Sequence, residues 1–268
     1  MNLIHFLGFK PPKLGLALSG GATHGAAHIG VLQVLDREGI KPDFVAGTSA
    51  GALVGAAYCA GVPLDELENL FLDLNWPTLV KISLIKPLAL FDTQPMEEFF
   101  KKKMGDCEFK DLNIPFAAIC CDIVTGERVV LDKGPVATSI RASAAIPGLF
   151  SPVEIDGRLL VDGGMVDNLP VKQVRAMGAK YTIAVDVSSR GTQGKRPENP
   201  YETVMSMISI MQRRSVSISR EKSDCFIRPD IARFSSWGFG DAQTMIEEGK
   251  KAAEAALVQL TKFRRSQN

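Results

Sequence analysis

Residues 43–60 read DFVAGTSAGALVGAAYCA, and the fold turns on how they divide. Asp43-Phe44-Val45-Ala46 is a short apolar run of strand type, and from Ala50 an alanine-rich helical stretch continues to near Gly61. Between them stands Gly47-Thr48-Ser49-Ala50-Gly51, a G-x-S-x-G spacing. In a strand–turn–helix context that spacing is a nucleophile elbow, in which the tight turn projects the serine hydroxyl into open space. The flanking Gly47 and Gly51 remove Cβ atoms where strand and helix approach closely.

Upstream, residues 13–19 (KLGLALS) read as another short strand, and Gly20-Gly21-Ala22-Thr23-His24-Gly25 as a glycine-rich turn. Residues 26–38 then carry Ile29, Leu32 and Leu35 at helical spacing, with Gly39 placed to cap the helix. Strand, helix, strand, helix in this order predicts a parallel sheet covered by helices. Downstream, 63–74 and 95–104 read as helices, and 76–91 as irregular and apolar. Residues 116–122 and 128–131 read as strands, with a turn at Thr125-Gly126. Residues 136–143 read as a helix, and 153–155 with 158–161 as a hairpin about Asp156-Gly157. A strand at 181–187, a polar loop at 188–200, and helices at 201–220 and 241–262 around a strand at 224–228 complete the chain. With no internal repeat, a single domain over 1–268 is the simplest account.

The three histidines, His5, His24 and His28, all precede Ser49. An α/β-hydrolase triad needs its histidine after the serine, so that arrangement is excluded. Either Ser49 is not a nucleophile or its base is another group, for which Asp162 in Asp162-Gly163-Gly164 is the candidate. It follows the strand 158–161, and the glycines keep its carboxylate uncovered. A carboxylate with a pKa of about 3.9 is a weak base in water, and burial would strengthen it. An Asp-Gly pair is otherwise an ordinary turn. Oxyanion donors are expected from the backbone N–H groups of Gly20, Gly21 and Ala22, ahead of a helix N-terminus. A dinucleotide or phosphate cradle is the rival, but Ala22 interrupts the glycine pattern and the lysine of a P-loop is missing.

A net charge of +1 gives no pull toward nucleic acid, and 46% hydrophobic with 23% charged residues suits a globular core. The lysines 101–103 and Arg264-Arg265 read as solvated helix faces. Cys59, Cys107, Cys120, Cys121 and Cys225 lack framework or metal-site spacing, which points to buried thiols in a reducing compartment and to no metal. The N-terminal residues lack the pattern of a signal peptide, and no stretch has the eighteen or so apolar residues of a spanning helix. A cytoplasmic protein is expected, with peripheral membrane contact through the apolar segment 76–91 as the alternative to core packing there.

Four blocks, LALSGGATHGAAHIGVLQVL, GTSAG, RASAAIPGLFSPV and LLVDGGMVDNLPV, resemble in order those of the patatin-like phospholipase family in its bacterial branch. They span about 14–175, with 176–268 resembling the C-terminal completion more loosely. The resemblance implies a three-layer α/β/α fold with a mostly parallel central sheet. It implies lipid acyl hydrolysis by a Ser–Asp dyad without metal or cofactor. It lays the nucleophile on Ser49, the base on Asp162 and the oxyanion loop on 20–25, with Gly25, Gly47, Gly51, Gly163 and Gly164 as supporting glycines. Two residues depart from the pattern: Ala22 stands for a third glycine, and His24 for arginine or lysine. If the loop needs positive φ at Ala22, the methyl strains it. A cationic role at position 24 becomes pH-dependent, or His24 acts as a proton carrier. His28 reads as a helix residue packed under the loop. Ser19 and Ser143 read as turn or capping residues, Asp122 as a turn residue, and Asn168 with Pro170 as the start of a helix. A non-catalytic scaffold and an acyltransferase using the same acyl-enzyme are the competing functions.

Overall fold

The computed structural model describes residues 13–83, 88–188 and 196–267. In chain order the first elements are β1 (Leu14–Leu18), α1 (Ala26–Arg37), β2 (Phe44–Thr48), α2 (Ala50–Cys59), α3 (Leu64–Asp73) and α4 (Trp76–Leu79). Next come β3 (Lys81–Ile82), β4 (Ala89–Asp92), α5 (Gln94–Met104), β5 (Phe116–Asp122), β6 (Arg128–Leu131) and α6 (Val136–Ser143). The rest is β7 (Gly148–Phe150), β8 (Val153–Ile155), β9 (Arg158–Asp162), α7 (Val171–Ala176), β10 (Tyr181–Val185), α8 (Pro200–Glu221), β11 (Cys225–Ile227) and α9 (Ala242–Gln267).

Strands β11, β10, β1, β2 and β5 lie side by side, all parallel. Their side chains alternate between faces, as the pleat demands. Leu14, Leu16, Leu18, Val45, Ile183 and Val185 point to one face, against α1, α2 and α9. Ala17, Ala46, Ala117 and Ala184 point to the other, against Leu169, Val171 and Val174 at α7 and Val216 of α8. One face is bulky and the other small, so α7 sits close on the sheet: a Cβ on Gly15 would lie 2.7 Å from that of Val174. The result is a three-layer α/β/α sandwich. Leu16 is fully buried, so Leu16→Ala would cost about 3–4 kcal/mol. Gly30 of α1 and Gly249 of α9 seat against the carbonyls of Ile246 and Ala27, which draws these helices into backbone contact.

The far side of β5 decides the site. β5 pairs β2 in parallel through Ile119↔Thr48, and β9 antiparallel through Cys120↔Asp162. β6 pairs Ile119 and Cys120 along the opposite edge of β5. A strand has two edges, so β2 and β9 share one, end to end. The last residue of each strand meets the other at consecutive positions of β5, which sets Ser49 beside Asp162.

The expected elements are present, including the hairpin at Asp156-Gly157, where both residues have positive φ (51° and 73°) as a type I′ turn requires. Segment 76–91 differs from expectation. Its described residues form the turn of helix α4 and the strands β3 and β4, with β4 parallel to β7. Trp76 packs on Phe150, Trp237 and Phe239, and Leu79 is buried. Ile82, Leu88 and Leu90 face solvent. Apolar content alone could not separate these two roles. Leu84, Ile85 and His5 lie outside the described residues. Of the lysines 101–103 only Lys102 is exposed: Lys101 pairs with the buried Glu97 and with Asp106, and Lys103 with Glu66. All five cysteines are free thiols. Among the described residues no helix is long and apolar enough to cross a membrane.

Candidate active site

Ser49 is the residue between β2 and α2, with φ 53° and ψ −123°. A non-glycine residue there is strained by roughly 1–3 kcal/mol, and the surroundings hold it. Its carbonyl accepts from Ala52 N–H (2.8 Å) and Leu53 N–H (3.1 Å) in the first turn of α2. Its own N–H donates to Ser143 Oγ (3.0 Å), and that hydroxyl donates to Ile119 O (2.6 Å). Ser143 thus ties the elbow to β5, a role its RASAAIPG context did not reveal. Gly47 and Gly51 leave no room for a methyl: Cβ atoms there would enter the carbonyls of Gly51 and Leu18.

Asp162 ends β9, almost fully buried at 2% exposure. Its N–H donates to Ala145 O (2.9 Å), and its Oδ1 accepts from Gly164 N–H (2.7 Å). Burial raises its pKa to about 6, while the hydrogen bonds from the Ser49 hydroxyl and Gly164 N–H pull the other way. The carboxylate therefore sits within reach of the serine proton and with a proton affinity suited to taking it near neutral pH. Gly163 crosses tightly over Ile119 O, and a Cβ on Gly164 would meet Gln212 Nε2 at 2.6 Å.

The following residues lock this turn. Asp167 N–H donates to Gly163 O (2.9 Å), and the Thr48 hydroxyl donates to Asp167 O (2.8 Å). Arg128 of β6 donates to Asp167 Oδ2 (2.8 Å) and Gln173 Oε1 (3.2 Å). Burial raises the Asp167 pKa, and the Arg128 guanidinium opposes the rise. Asn168 joins turn and glycine loop. Its carbonyl accepts from Gly20 N–H (3.2 Å), and its Oδ1 is buried without a partner among the described residues. That bond corrects one expectation: the Gly20 N–H is spent on Asn168 and cannot face an oxyanion. The N–H groups of Gly21 and Ala22 have no protein acceptor among the described residues, and both residues line the cleft with Ser49.

Ala22 has φ 52°, so the methyl does stand in the left-handed region. The loop is held by a segment some two hundred residues away in sequence. Thr23 N–H donates to Ser236 O (3.1 Å) and its hydroxyl to Ser235 O (3.2 Å). His24 is buried, with Nε2 3.1 Å from Phe234 O and Nδ1 3.3 Å from Val187 O. Burial lowers its pKa, so the neutral ring donates through one nitrogen, and the shorter contact marks Nε2. His24 is a latch for the loop, with neither ring nitrogen aimed at Ser49. His28 Nε2 lies 2.9 Å from Ser19 O, and burial brings its pKa down to about 4, so it too is neutral. Ser19 Oγ accepts from Val187 N–H (2.8 Å). Asp122 is a turn residue, accepting from Val124 N–H (2.9 Å). Pro170 directly precedes α7.

Ser49 lies between two openings. A cleft of about 340 Å³ holds Ser49, Asp162, Gly21 and Ala22, with Met205, Ile208 and Gln212 of α8 as its far wall. A narrower pocket of about 50 Å³ leaves Ser49 through Leu53, Phe71, Leu79, Phe100 and Phe150, almost wholly apolar. Composition could not show that α8, beyond all four motif blocks, would close the cleft.

A mixed, mostly parallel sheet between helix layers is a patatin-type fold, and here it carries a strained serine at a strand end, a buried carboxylate beside it and a glycine loop. Residues 16–175 match the sequence model of the family described as patatin-like phospholipase, and the chain belongs to that family. An uncharacterized NTE family protein of Mycobacterium tuberculosis is 35% identical over 73% of this chain and 55% of its own length. Lysophospholipase NTE1 of Mycosarcoma maydis is 31% identical over 91% of this chain and 15% of its own length. The chain thus spans only about half, or far less, of these relatives. Among solved structures, VipD from Legionella pneumophila superposes with TM-score 0.60 at 14% identity, covering 93% of this chain and 67% of that one. ExoU superposes with TM-score 0.52 at 13% identity, covering 93% of this chain and 53% of that one.

Proposed function

We propose that this chain is a serine hydrolase of lipid carboxylic esters, with Ser49 as nucleophile and Asp162 as its proton acceptor. The observation that carries the reading is the pairing of a strained Ser49 with a buried Asp162 at the mouth of one cleft. Asp162 takes the hydroxyl proton as Ser49 Oγ adds to the ester carbonyl. The N–H groups of Gly21 and Ala22 hold the oxyanion. The proton passes from Asp162 to the departing alcohol, leaving an acyl-serine. Asp162 then deprotonates water, which releases the fatty acid and restores the serine. The apolar pocket suits an acyl chain, and the wider, partly polar cleft suits the remainder of a phospholipid or lysophospholipid. The family and the lysophospholipase relative support that substrate class. No step calls for a metal or cofactor.

The test is labelling with a fluorophosphonate probe, with turnover of a chromogenic short-chain ester followed in parallel. Labelling lost in Ser49→Ala, with turnover lost in both Ser49→Ala and Asp162→Asn, is the expected result. Full activity in either variant would overturn the dyad, and absence of labelling in the unaltered chain would favour a non-catalytic scaffold. Product analysis with an added alcohol separates hydrolysis from acyl transfer.

A further inference from the structure

Of the exposed large aliphatic side chains among the described residues, Val204, Met207, Ile210, Met211 and Ile218 stand on α8 alone. At 3.6 residues per turn these five share the side of α8 opposite Ile208, Ser209, Val216 and Ser219, which are buried. Arg214 falls among the five and Arg213 at their margin. The helix carries Arg213, Arg214 and Arg220 against Glu202 and Glu221, and Arg220 stacks on Phe226, so Arg213 and Arg214 are the cations of this side, with Glu221 at its C-terminal end. The inward side of the same helix contributes Met205, Ile208 and Gln212 to the cleft at Ser49. One helix therefore walls the site with one face and offers solvent an apolar, cationic ridge with the other.

We infer that the outer face of α8 docks the protein on an anionic lipid bilayer, seating the helix in the interface plane beside the cleft. The inference rests on the lipid-ester reading of that cleft. Three observations select a bilayer as the occupant. Apolar side chains interleaved with arginine match acyl chains beneath anionic headgroups. The helix has 22 residues, yet its outer face is too charged and its inner face too well packed for it to span. An isologous contact between two copies would bring the Arg214 residues of both into one desolvated patch, which like charges oppose. A bilayer also explains why the ridge lies on the cleft wall: an ester lifted from the lipid has only to pass one helix.

The experiment uses the full chain carrying Ser49→Ala, so that binding is read without hydrolysis. Co-sedimentation is measured with vesicles of phosphatidylcholine alone and of phosphatidylcholine mixed with phosphatidylglycerol. Binding is expected to favour the anionic vesicles and to weaken with added salt. It should fall about tenfold or more in Met207→Glu/Met211→Glu and in Arg213→Glu/Arg214→Glu. In the background that retains Ser49, those variants should keep their melting temperature and their turnover of a soluble short-chain ester, but lose turnover of vesicle-borne phospholipid. Equal sedimentation of parent and both variants would overturn the docking surface. So would a parent that is dimeric by light scattering and becomes monomeric in Met207→Glu/Met211→Glu. Anionic binding that persists while ester turnover is absent would refute the hydrolase reading and leave the docking surface standing.

Discussion

The two loops that frame Ser49 are held by different chemistry. The turn bearing Asp162 is fixed within the family core, by an Arg128–Asp167 ion pair, a Thr48 hydroxyl and close glycine packing on β5. The glycine loop has one bond within that core, from Gly20 N–H to Asn168 O, and is otherwise fixed from outside it, by neutral hydrogen bonds to the carbonyls of 234–236, with Ala22 strained in its midst. The proposed base is therefore placed by charge and sheet register, and the proposed oxyanion donors by a neutral latch. Disturbing the first should remove chemistry, and disturbing the second should tune it.

The largest effect separating the two is expected at Asp162. Asp162→Asn should lower kcat about 10²–10⁴-fold, the usual worth of a general base. The same change should raise stability at pH 8. The carboxyl pKa is about 6 in the folded chain against 3.8 ordinarily, so the ionised form is penalised by burial. That penalty is complete above pH 6 and relieved as pH falls toward 3.8, on the order of 2–3 kcal/mol in all. A melting temperature that drops in Asp162→Asn would contradict this account. For the unaltered chain, kcat/KM should fall below pH of about 6 as Asp162 takes up a proton. His28 acts with the opposite sign on stability. Its folded pKa of about 4 lies below the ordinary 6.5, so acid favours the unfolded chain between these values and offsets the gain at Asp162.

Next in size is Arg128→Ala, which leaves Asp167 buried and unpaired. A loss of about 2 kcal/mol is expected, since Arg128 is itself partly exposed. Adding Asp167→Asn should restore part of it, and a double variant no better than the single would break the ion-pair account. His24→Ala should cost about 1–2 kcal/mol by leaving Phe234 O without its donor. It should lower kcat more than it raises KM, because oxyanion donors act in the transition state. The smallest effect is expected for Ala22→Gly. Relief of a positive φ should add about 0.5–1 kcal/mol, read by denaturant titration. A loss of stability there would show that the methyl is better packed than its backbone is strained.

Much of the framework was legible because it is local. The elbow, the first two strand–helix units and the hairpin at Asp156-Gly157 each have their turn residue and periodicity within a dozen positions. The conditional reading of Ala22 was also legible, because a missing glycine marks the place where φ is positive. What could not be read is non-local. Nothing in Gly20 announces that its N–H goes to Asn168, and nothing in Ser143 that it carries the elbow amide. The split of 76–91 into buried Leu79 and exposed Leu90 depends on which neighbours arrive, not on apolar content. The outward apolar face of α8 has helical periodicity, but periodicity alone reads as core.

The strap across the glycine loop has a consequence for the order in which the site comes into being. Thr23 waits for Ser235, a partner 212 positions later in the chain, before its hydroxyl is satisfied. During synthesis the elbow and Asp162 emerge well before 234–236 and before α8, so a growing chain holds Ser49 and Asp162 while its loop has no latch and its cleft lacks a wall. In the hydrolase proposed above, full activity toward nearby lipid would wait until translation has passed the strap, a form of restraint that needs no inhibitor.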